Sequence, residues 1–371
     1  MKINNCKVIV VSYTDNDFKK ASEFADLRVE GSSGFYKSRG GGKVDKLKSD
    51  IRHGLLGEIC VSKYFRSVGL SCTRPDTSIY SSKNKSYDPD LIVNNKARIH
   101  CKTQSKDSQQ KYGVSYLCQK SDPVFKNPSC YDFMVTSVVD ETLNLCFIYG
   151  IWSIKKIVSN NLIGVPVVPF LRTNKIAFYF DELDTLNKDA KWGLFRKQVG
   201  CPKFKYSSLN DYGYYRTHSY LLINGKKVLL DISDLKKCLL SNSKWNINEK
   251  GYVKNHKCKY IHQTVLPPKK GYVTDHINRD PLDNRKNNLR YATRTENLRN
   301  SKPSNRGGKF GSKYKGVNKR RGGSDRWVVY ITVDSVSTYV GDFSTEKEAA
   351  LAYNKMAKKY YGEFAYLNTI K

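Results

Sequence analysis

A segment poor in apolar residues lies near the carboxyl-terminal end of the chain and limits how the chain can fold. The sequence SKPSNRGGKFGSK begins at Ser301 and has the glycine, serine, proline and lysine content of a flexible charged linker. A chain of 371 residues is also too long for one ordinary hydrophobic core. A softer boundary lies near residues 199–212, before the strand-like run SYLLI at 219–223. We therefore predict a multidomain protein with domains at 1–200, 205–300 and 312–371 and a linker at 301–311.

The charge balance indicates a polyanionic partner. Lysine and arginine number 65 against 34 aspartates and glutamates, a formal net charge of +31. The basic excess is present in every predicted domain, which favours a long nucleic-acid footprint whose affinity falls as salt rises. A basic surface that serves only solubility is the alternative.

The cysteines and the apolar runs exclude other classes. Ten cysteines occur without a Cys-x-x-Cys pair, which argues against a structural zinc site of ordinary spacing. The amino-terminal apolar run is too short for a signal peptide, and no stretch approaches the roughly 18–20 apolar residues of a membrane span. We expect a cytoplasmic protein with no membrane association, and the sequence gives no sign of an obligate protein partner.

Residues 271–300 gather an acid, an imidazole and several amides. The sequence is GYVTDHINRDPLDNRKNNLRYATRTENLRN, whose start predicts a strand, whose middle predicts a loop, and whose Thr293 and Glu296 predict a capping box that starts a helix. Asp275 offers an oxygen ligand to a hard cation, and His276 has a pKa suited to deprotonating water. Either feature alone is more often ordinary surface structure, but their combination favours a catalytic site.

This segment resembles the HNH endonuclease family, in the form found in phage-borne homing endonucleases. Asp275 and His276 open the motif, Asn288 follows twelve residues after the histidine, and Asn297 follows nine residues later. The resemblance implies a ββα-metal unit in which Asp275 and Asn297 bind one Mg²⁺ or another divalent cation such as Mn²⁺. It also implies that His276 is the general base and that the Asn288 amide braces the loop.

The same resemblance implies hydrolysis of phosphodiester bonds in double-stranded DNA. Arg290 and Arg294 flank the turn into the predicted helix and are candidate phosphate clamps. His262, upstream of the motif, is interpreted as a structural histidine of the preceding strand.

The carboxyl-terminal residues predict short strands followed by a helix. In WVVYITV, at 327–333, alternate side chains face opposite sides of a sheet. Thr345 and Glu348 predict the cap of a helix that packs on one sheet face. The helical stripe expected to form that contact consists of Ala349, Tyr353, Met356, Ala357 and Tyr360.

This module resembles the plant ethylene-response-factor type of DNA-binding domain. The matching positions include Tyr-Lys-Gly-Val at 314–317, Arg326-Trp327 and the final Asn368. The resemblance implies a three-stranded sheet plus helix, with the sheet laid into the major groove of DNA. The residues expected to contact DNA are Arg320, Arg326, Tyr330, Thr332 and Tyr339. Asn318, Thr332 and Tyr339 stand where the plant pattern has arginine or tryptophan, so the target sequence does not transfer.

The amino-terminal region resembles the PD-(D/E)xK nuclease fold, which would make it an α/β domain. Residues 51–68 have helical spacing and include Glu58, and residues 87–104 read as two strands joined by an Asn-Asn turn. Further strands are expected within 131–152. The resemblance implies metal binding by Glu58, Asp90 and His100 and orientation of water by Lys102.

The second metal position departs from that pattern, because His100 stands where the family has an acid. Histidine can bind a metal but adds no negative charge to balance a dication. Three outcomes stay open: an active variant, an inactive fold retained as a DNA clamp, and a different fold.

The favoured hypothesis is an α+β, modular, sequence-guided DNA endonuclease of homing or mobile-element type, acting on host nucleoid or phage DNA. The carboxyl-terminal module would grip the site and the HNH unit would cut one strand. The amino-terminal domain would cut the other strand or clamp the duplex. The alternatives are a DNA-binding regulator with inactive nuclease folds, and a restriction or defence nuclease.

Overall fold

The computed structural model describes residues 7–31, 44–79, 88–167, 169–186, 192–201, 207–241, 243–303, 311–321 and 324–370. The chain divides into two compact units, Met1–Asp211 with Leu239–Lys244 and Tyr212–Cys238 with Trp245–Lys371. Both units mix helices and strands, which confirms the α+β class. Within the described residues, no helix carries an apolar stretch long enough to cross a bilayer.

The first unit is built mainly of strands flanked by two long helices. Its strands β1 to β8 are Lys7–Ser12, Leu91–Val93, Ala97–Ser105, Ser115–Gln119, Asp132–Asp140, Leu145–Ser153, Lys175–Tyr179 and Ser207–Ser208. Its helices α1 to α7 are Asp15–Gly31, Val44–Ser67, Lys106–Tyr112, Pro123–Lys126, Ile154–Ser159, Phe180–Leu183 and Leu194–Val199.

A six-stranded sheet organises this unit, in the order β2-β3-β5-β6-β1-β8. Strand β3 runs parallel to β5, while β2 and β3 form an antiparallel pair. Strands β5 and β6 are buried along their whole length, as expected for apolar strands covered on both faces. Helices α1 and α2 supply much of the core that covers the sheet.

The predicted helix at 51–68 and the predicted strand pair at 87–104 are confirmed in outline. The turn between β2 and β3 contains Asn94 and Asn95, both at positive φ, a conformation that asparagine adopts more readily than most residues. Helix α2 approaches β3 most closely at Gly57, where a Cβ atom would overlap the side chain of Thr103. Because only glycine permits this approach, Gly57 brings the neighbouring Glu58 towards β3.

The second unit has more, shorter strands. Strands β9 to β18 are Asp211–Tyr214, Ser219–Ile223, Lys226–Leu230, Trp245–Ile247, Val253–Asn255, Val273–His276, Leu289–Ala292, Val317–Lys319, Trp327–Val333 and Val336–Phe343. Helices α8 to α11 are Ile232–Leu240, Ile261–Val265, Arg294–Asn300 and Glu346–Tyr361. The predicted strand SYLLI is β10, and both predicted capping boxes are present, at the starts of α10 and α11.

The carboxyl-terminal module is a three-stranded antiparallel sheet, β16-β17-β18, covered on one face by α11. Val329 and Ile331 of β17 pack against Ala349, Tyr353 and Ala357 of the helix. The prediction for Tyr360 is wrong. That side chain is largely exposed, and the next residue, Tyr361, completes the buried stripe because it falls one turn after Ala357.

The HNH segment and the carboxyl-terminal module, predicted as separate domains, belong to one compact unit. The Lys315 ammonium donates to the backbone carbonyls of Leu298, Arg299 and Ser301 at 2.8, 2.8 and 2.7 Å. These carbonyls lie at the end of helix α10, where the Leu298 carbonyl also accepts from the Ser301 N–H at 3.2 Å. Of the predicted linker at 301–311, residues 304–310 lie outside the described residues.

Candidate active site

A short antiparallel hairpin positions the two central residues of the HNH-like segment. Strand β14 ends in Asp275 and His276, which pair across the hairpin with Arg290 and Leu289 of β15. Helix α10 follows directly, its first turn capped by Thr293. The sequence predicted a strand, a loop and a helix but missed β15, because asparagines and charged residues surround its four residues.

The loop between the two strands is held by side-chain amides. The Asn288 amide donates to Asn278 Oδ1 at 2.9 Å and to the Asp283 carbonyl at 2.7 Å, and its Oδ1 accepts from the Asn278 N–H at 3.0 Å. Asn278 in turn donates to the Asp283 carboxylate at 3.0 Å. Asn288, at the end of the loop, therefore contacts the start of the loop at Asn278 and its middle at Asp283, as a bracing residue would.

Asn284 orients His276, a contact that the sequence did not reveal. The Asn284 Nδ2 donates to the Pro281 carbonyl at 3.0 Å, so its Oδ1 faces His276 Nε2 at 3.2 Å. Because that oxygen can only accept, Nε2 carries the proton and Nδ1 is the basic nitrogen. Burial lowers the pKa of His276, against the opposing effects of Asn284 and Asp275, so the ring is neutral at pH 7.

Asp275 is buried and contacted on both carboxylate oxygens. Arg290 Nε donates to Oδ2 at 2.9 Å, and Asn300 Nδ2 lies 3.0 Å from each oxygen. Within the described residues, the side-chain amide that contacts Asp275 is therefore that of Asn300, a residue that the sequence prediction did not include. Asn297, the predicted ligand, is partly buried one turn earlier on the same side of α10.

Arg290 is an internal partner of Asp275 in this structure, not a free phosphate clamp as predicted. Only 12% of its side chain is exposed. Its Nη1 donates to the Glu363 carbonyl at 2.9 Å, and its guanidinium lies 3.9 Å from the ring centre of Phe364. Arg294, the other predicted clamp, is exposed at the start of α10.

The oxygen donors here suit a hard divalent cation. A carboxylate from Asp275 and an amide carbonyl from Asn297 are the kinds of ligand that Mg²⁺ and Mn²⁺ accept. Arg290 already balances the negative charge of Asp275. We therefore expect these residues to bind a cation weakly, and a DNA phosphate to strengthen that binding. Within the described residues, no three histidine, cysteine, aspartate or glutamate side chains form a metal-binding cluster.

His262 lies in the short helix α9, and the prediction that it belongs to a strand is wrong. Its ring is buried and meets the His276 ring edge to face, with centroids 5.4 Å apart. Burial, and to a smaller extent the neighbouring His276, lowers the pKa of His262 to about 4.

The amino-terminal candidates come from distant parts of the chain. Removal from water raises the pKa of Glu58 well above its usual range, with a further rise from Asp90 and an opposing effect from Lys102. The Asp90 carboxylate accepts from the Cys101 N–H at 2.6 Å. These contacts show that α2, the start of β2 and the middle of β3 meet.

His100 has a carboxylate neighbour that the sequence did not indicate. Its Nε2 lies 3.6 Å from Asp132 Oδ1 on the adjacent strand β5. The Asp132 carboxylate also accepts from Arg98 at 2.8 and 2.7 Å. The charge of Asp132 is therefore already balanced before any cation binds.

The predicted DNA-contacting residues of the carboxyl-terminal module differ in whether other residues of the module contact them. Tyr330, Thr332 and Tyr339 are exposed on the sheet face opposite α11, and the two tyrosine rings lie 5.6 Å apart. Arg320 forms an ion pair with Asp342, and Arg326 donates to the Asp342 carbonyl at 3.1 Å. The two arginines therefore contact other residues of the sheet, whereas the two tyrosine side chains are exposed to solvent.

Comparison with known proteins identifies the segment. Residues 266–299 match the HNH endonuclease family model. A protein of Acanthamoeba polyphaga mimivirus described as an uncharacterized HNH endonuclease is 28% identical over 186 residues, which are 47% of this chain and 94% of that protein. No solved structure matches the chain. The family match covers the hairpin and most of α10, so the resemblances of the terminal modules stay predictions. The chain contains an HNH endonuclease domain and is an enzyme of the endonuclease class.

Proposed function

We propose that this chain is a divalent-metal-dependent DNA endonuclease, sequence-guided and of homing or mobile-element type. The observation that carries the proposal is the buried His276, whose Nε2 faces Asn284 Oδ1 at 3.2 Å and which directly follows the buried Asp275 on β14. A neutral imidazole with one nitrogen fixed as donor is suited to general-base chemistry near pH 7.

In the proposed reaction, His276 Nδ1 removes a proton from a water molecule. The resulting hydroxide attacks phosphorus as the bond to the 3′ oxygen breaks. The leaving 3′ oxygen takes a proton from a second water molecule to become a hydroxyl, and the imidazolium gives its proton to the hydroxide that this leaves. A divalent cation held by Asp275 and Asn297 would stabilise the charge on the leaving oxygen. Asn284 keeps the ring oriented, and the Asn288 network keeps the loop in place.

Arg290 and Asn300 would set the state of Asp275 before the cation arrives. Both donate to the carboxylate, so the buried acid has hydrogen-bond partners without a metal. Phosphate oxygens of bound DNA bring additional negative charge. We therefore expect Mg²⁺ to bind more tightly to the protein–DNA complex than to the free protein.

The second strand would be cut by the amino-terminal site. This proposal is supported by the approach of Glu58, Asp90 and Lys102, and by the antiparallel pair β2-β3 followed by the parallel β5. Lys102 would orient the attacking water, and the acids would hold a cation. The carboxyl-terminal sheet would grip DNA through Tyr330, Thr332 and Tyr339.

The test is incubation of the purified protein with its own flanking genomic DNA, with Mg²⁺ or with EDTA, followed by a denaturing gel. His276→Ala should abolish one cut, whereas His256→Ala, at an exposed histidine of the same unit, should not. A DNA-binding regulator would bind the DNA tightly without Mg²⁺-dependent nicking. A restriction or defence nuclease would cut in the same way, and the neighbouring genes would distinguish it.

A further inference from the structure

A pocket of about 320 Å³ opens on the second unit beside His276. The proposed hydrolysis does not use it. Its lining includes Lys250, Tyr252, Tyr260, His262 and Tyr272. The volume is at the lower end of small-ligand pockets, which span roughly 300–1,000 Å³, so the pocket suits a ligand of about one base.

The walls of the pocket are aromatic rings in contact with one another. Tyr260 and His262 stack with centroids 5.2 Å apart and planes 14° apart. Tyr252 meets them nearly at right angles, at 6.2 and 5.8 Å. Tyr252 and Tyr272 are 37% and 42% exposed, so flat π-faces are open to a ligand. Such rings are what unstacked bases bind.

The pocket also carries positive charge. Lys250 lines the pocket, and the Lys269 ammonium lies 4.8 Å from the ring centre of Tyr272. The surroundings therefore favour an aromatic ligand that carries phosphate.

The pocket adjoins the proposed general base. The rings of Tyr252 and His262 lie 6.0 and 5.4 Å from the His276 ring, centroid to centroid. We infer that this pocket binds an unstacked nucleobase of the substrate strand, next to the phosphate that the HNH site attacks. The inference rests on the proposed function and adds a base-binding subsite to it. Every base has a π-face, so the rings accept any base.

Photocross-linking of full-length protein tests the subsite without requiring cleavage. The probe is duplex flanking DNA in which 5-iodouracil replaces the thymines of one strand, then of the other, in the presence of EDTA. After irradiation, mass spectrometry of the cross-linked peptides locates the contact. We expect cross-links at Tyr252 or Tyr272. Cross-links found only in the carboxyl-terminal sheet or in the first unit would overturn the inference.

Kinetics give an independent readout. Tyr252→Leu and Tyr272→Leu should each raise the KM for nicking by about tenfold, the loss expected for one stacked base. The matched control is Tyr112→Leu, because Tyr112 is 47% exposed and has the Lys111 ammonium 5.1 Å from its ring centre. Its KM should stay at the wild-type value, and equal effects in all three variants would refute the subsite.

The two proposals fail differently. Cross-linking at Tyr252 without Mg²⁺-dependent cleavage would refute the nuclease proposal and keep the base pocket. Cleavage without cross-links at either tyrosine would refute the pocket alone.

Discussion

The two candidate nuclease sites of this chain are assembled in different ways. The HNH site is drawn from residues 275–300, and a hairpin, a loop network and one helix turn bring them together. The amino-terminal site draws Glu58, Asp90 and Lys102 from separate elements, brought together by the packing of α2 on β3 at Gly57 and by the hydrogen bond from the Cys101 N–H to Asp90. A local site can be organised before its substrate arrives, whereas a non-local site depends on the packing of a whole sheet.

Their electrostatic states differ as well. Asp275 is paired with Arg290, whereas removal from water raises the pKa of Glu58 well above its usual range. A raised pKa favours the protonated carboxyl, which is a poor cation ligand. We therefore expect the amino-terminal site to bind a cation less readily than the HNH site.

The largest effect is expected when the proposed general base of the HNH site, His276, is removed. His276→Ala should lower nicking of one strand by about 100- to 10,000-fold, because the proposed general base is removed. Strand-resolved denaturing gels with each strand end-labelled measure the effect. The cut in the other strand should persist. Loss of both cuts would mean that a single site cleaves both strands.

The reciprocal change is Lys102→Ala. We expect cutting of the second strand to fall by about 100-fold, with accumulation of nicked DNA, since the attacking water would no longer be oriented. Lys96→Ala, at the exposed turn between β2 and β3, is the control. Unchanged cutting of both strands by the Lys102 variant would show that the first unit is a clamp rather than a second nuclease.

Lowering the pH should reduce the free energy of unfolding, because the buried His262 beside the HNH site resists protonation in the folded protein. The pKa of His262 is lowered to about 4 in the folded protein, so between pH 6.5 and 4 the unfolded chain binds the extra proton. The free energy of unfolding should therefore fall with decreasing pH, by roughly 2.5 kcal/mol at pH 4.5.

Hydrogen exchange at the amides of β14 between pH 7 and 4.5, corrected for the intrinsic rates, measures this loss. His262→Gln should remove most of the pH dependence. A variant with the same slope as the wild type would show that His262 is not the group responsible.

The smallest effect is expected for Glu58→Gln. If Glu58 is protonated in the free protein, the amide replaces it with a change in unfolding free energy of about 0.5 kcal/mol or less. Urea denaturation at pH 7 measures this. Cutting of the second strand should nevertheless be lost. A large destabilisation would mean that Glu58 is ionised and structurally paired, which would remove the contrast with Asp275.

Local sequence patterns predicted the helices, strands and turns better than they predicted the contacts between side chains. The capping boxes at Thr293 and Thr345, the Asn94–Asn95 turn and the strand at 327–333 depend on neighbours in sequence, and the structure contains each of them. The buried stripe ends at Tyr361 rather than Tyr360, because the helical phase at the end of a 16-residue helix is hard to fix from composition.

The site contacts that sequence reasoning missed are non-local or depend on rotamers. Asn300 and Asn297 are one turn apart on α10, so spacing alone does not say which amide faces Asp275. The role of Asn284 depends on the direction of its amide, which the Pro281 carbonyl determines. The position of Phe364 over Arg290 joins residues far apart in the chain.

The hydrogen bonds from Lys315 to the last carbonyls of α10 limit how the protein can be truncated. Truncation after residue 303 would leave that helix end to fray, and the same turn carries Asn297 and Asn300. A minimal nuclease fragment would accordingly lose the alignment of its own amides. We therefore expect the HNH segment and the carboxyl-terminal module to be stable only as one fragment.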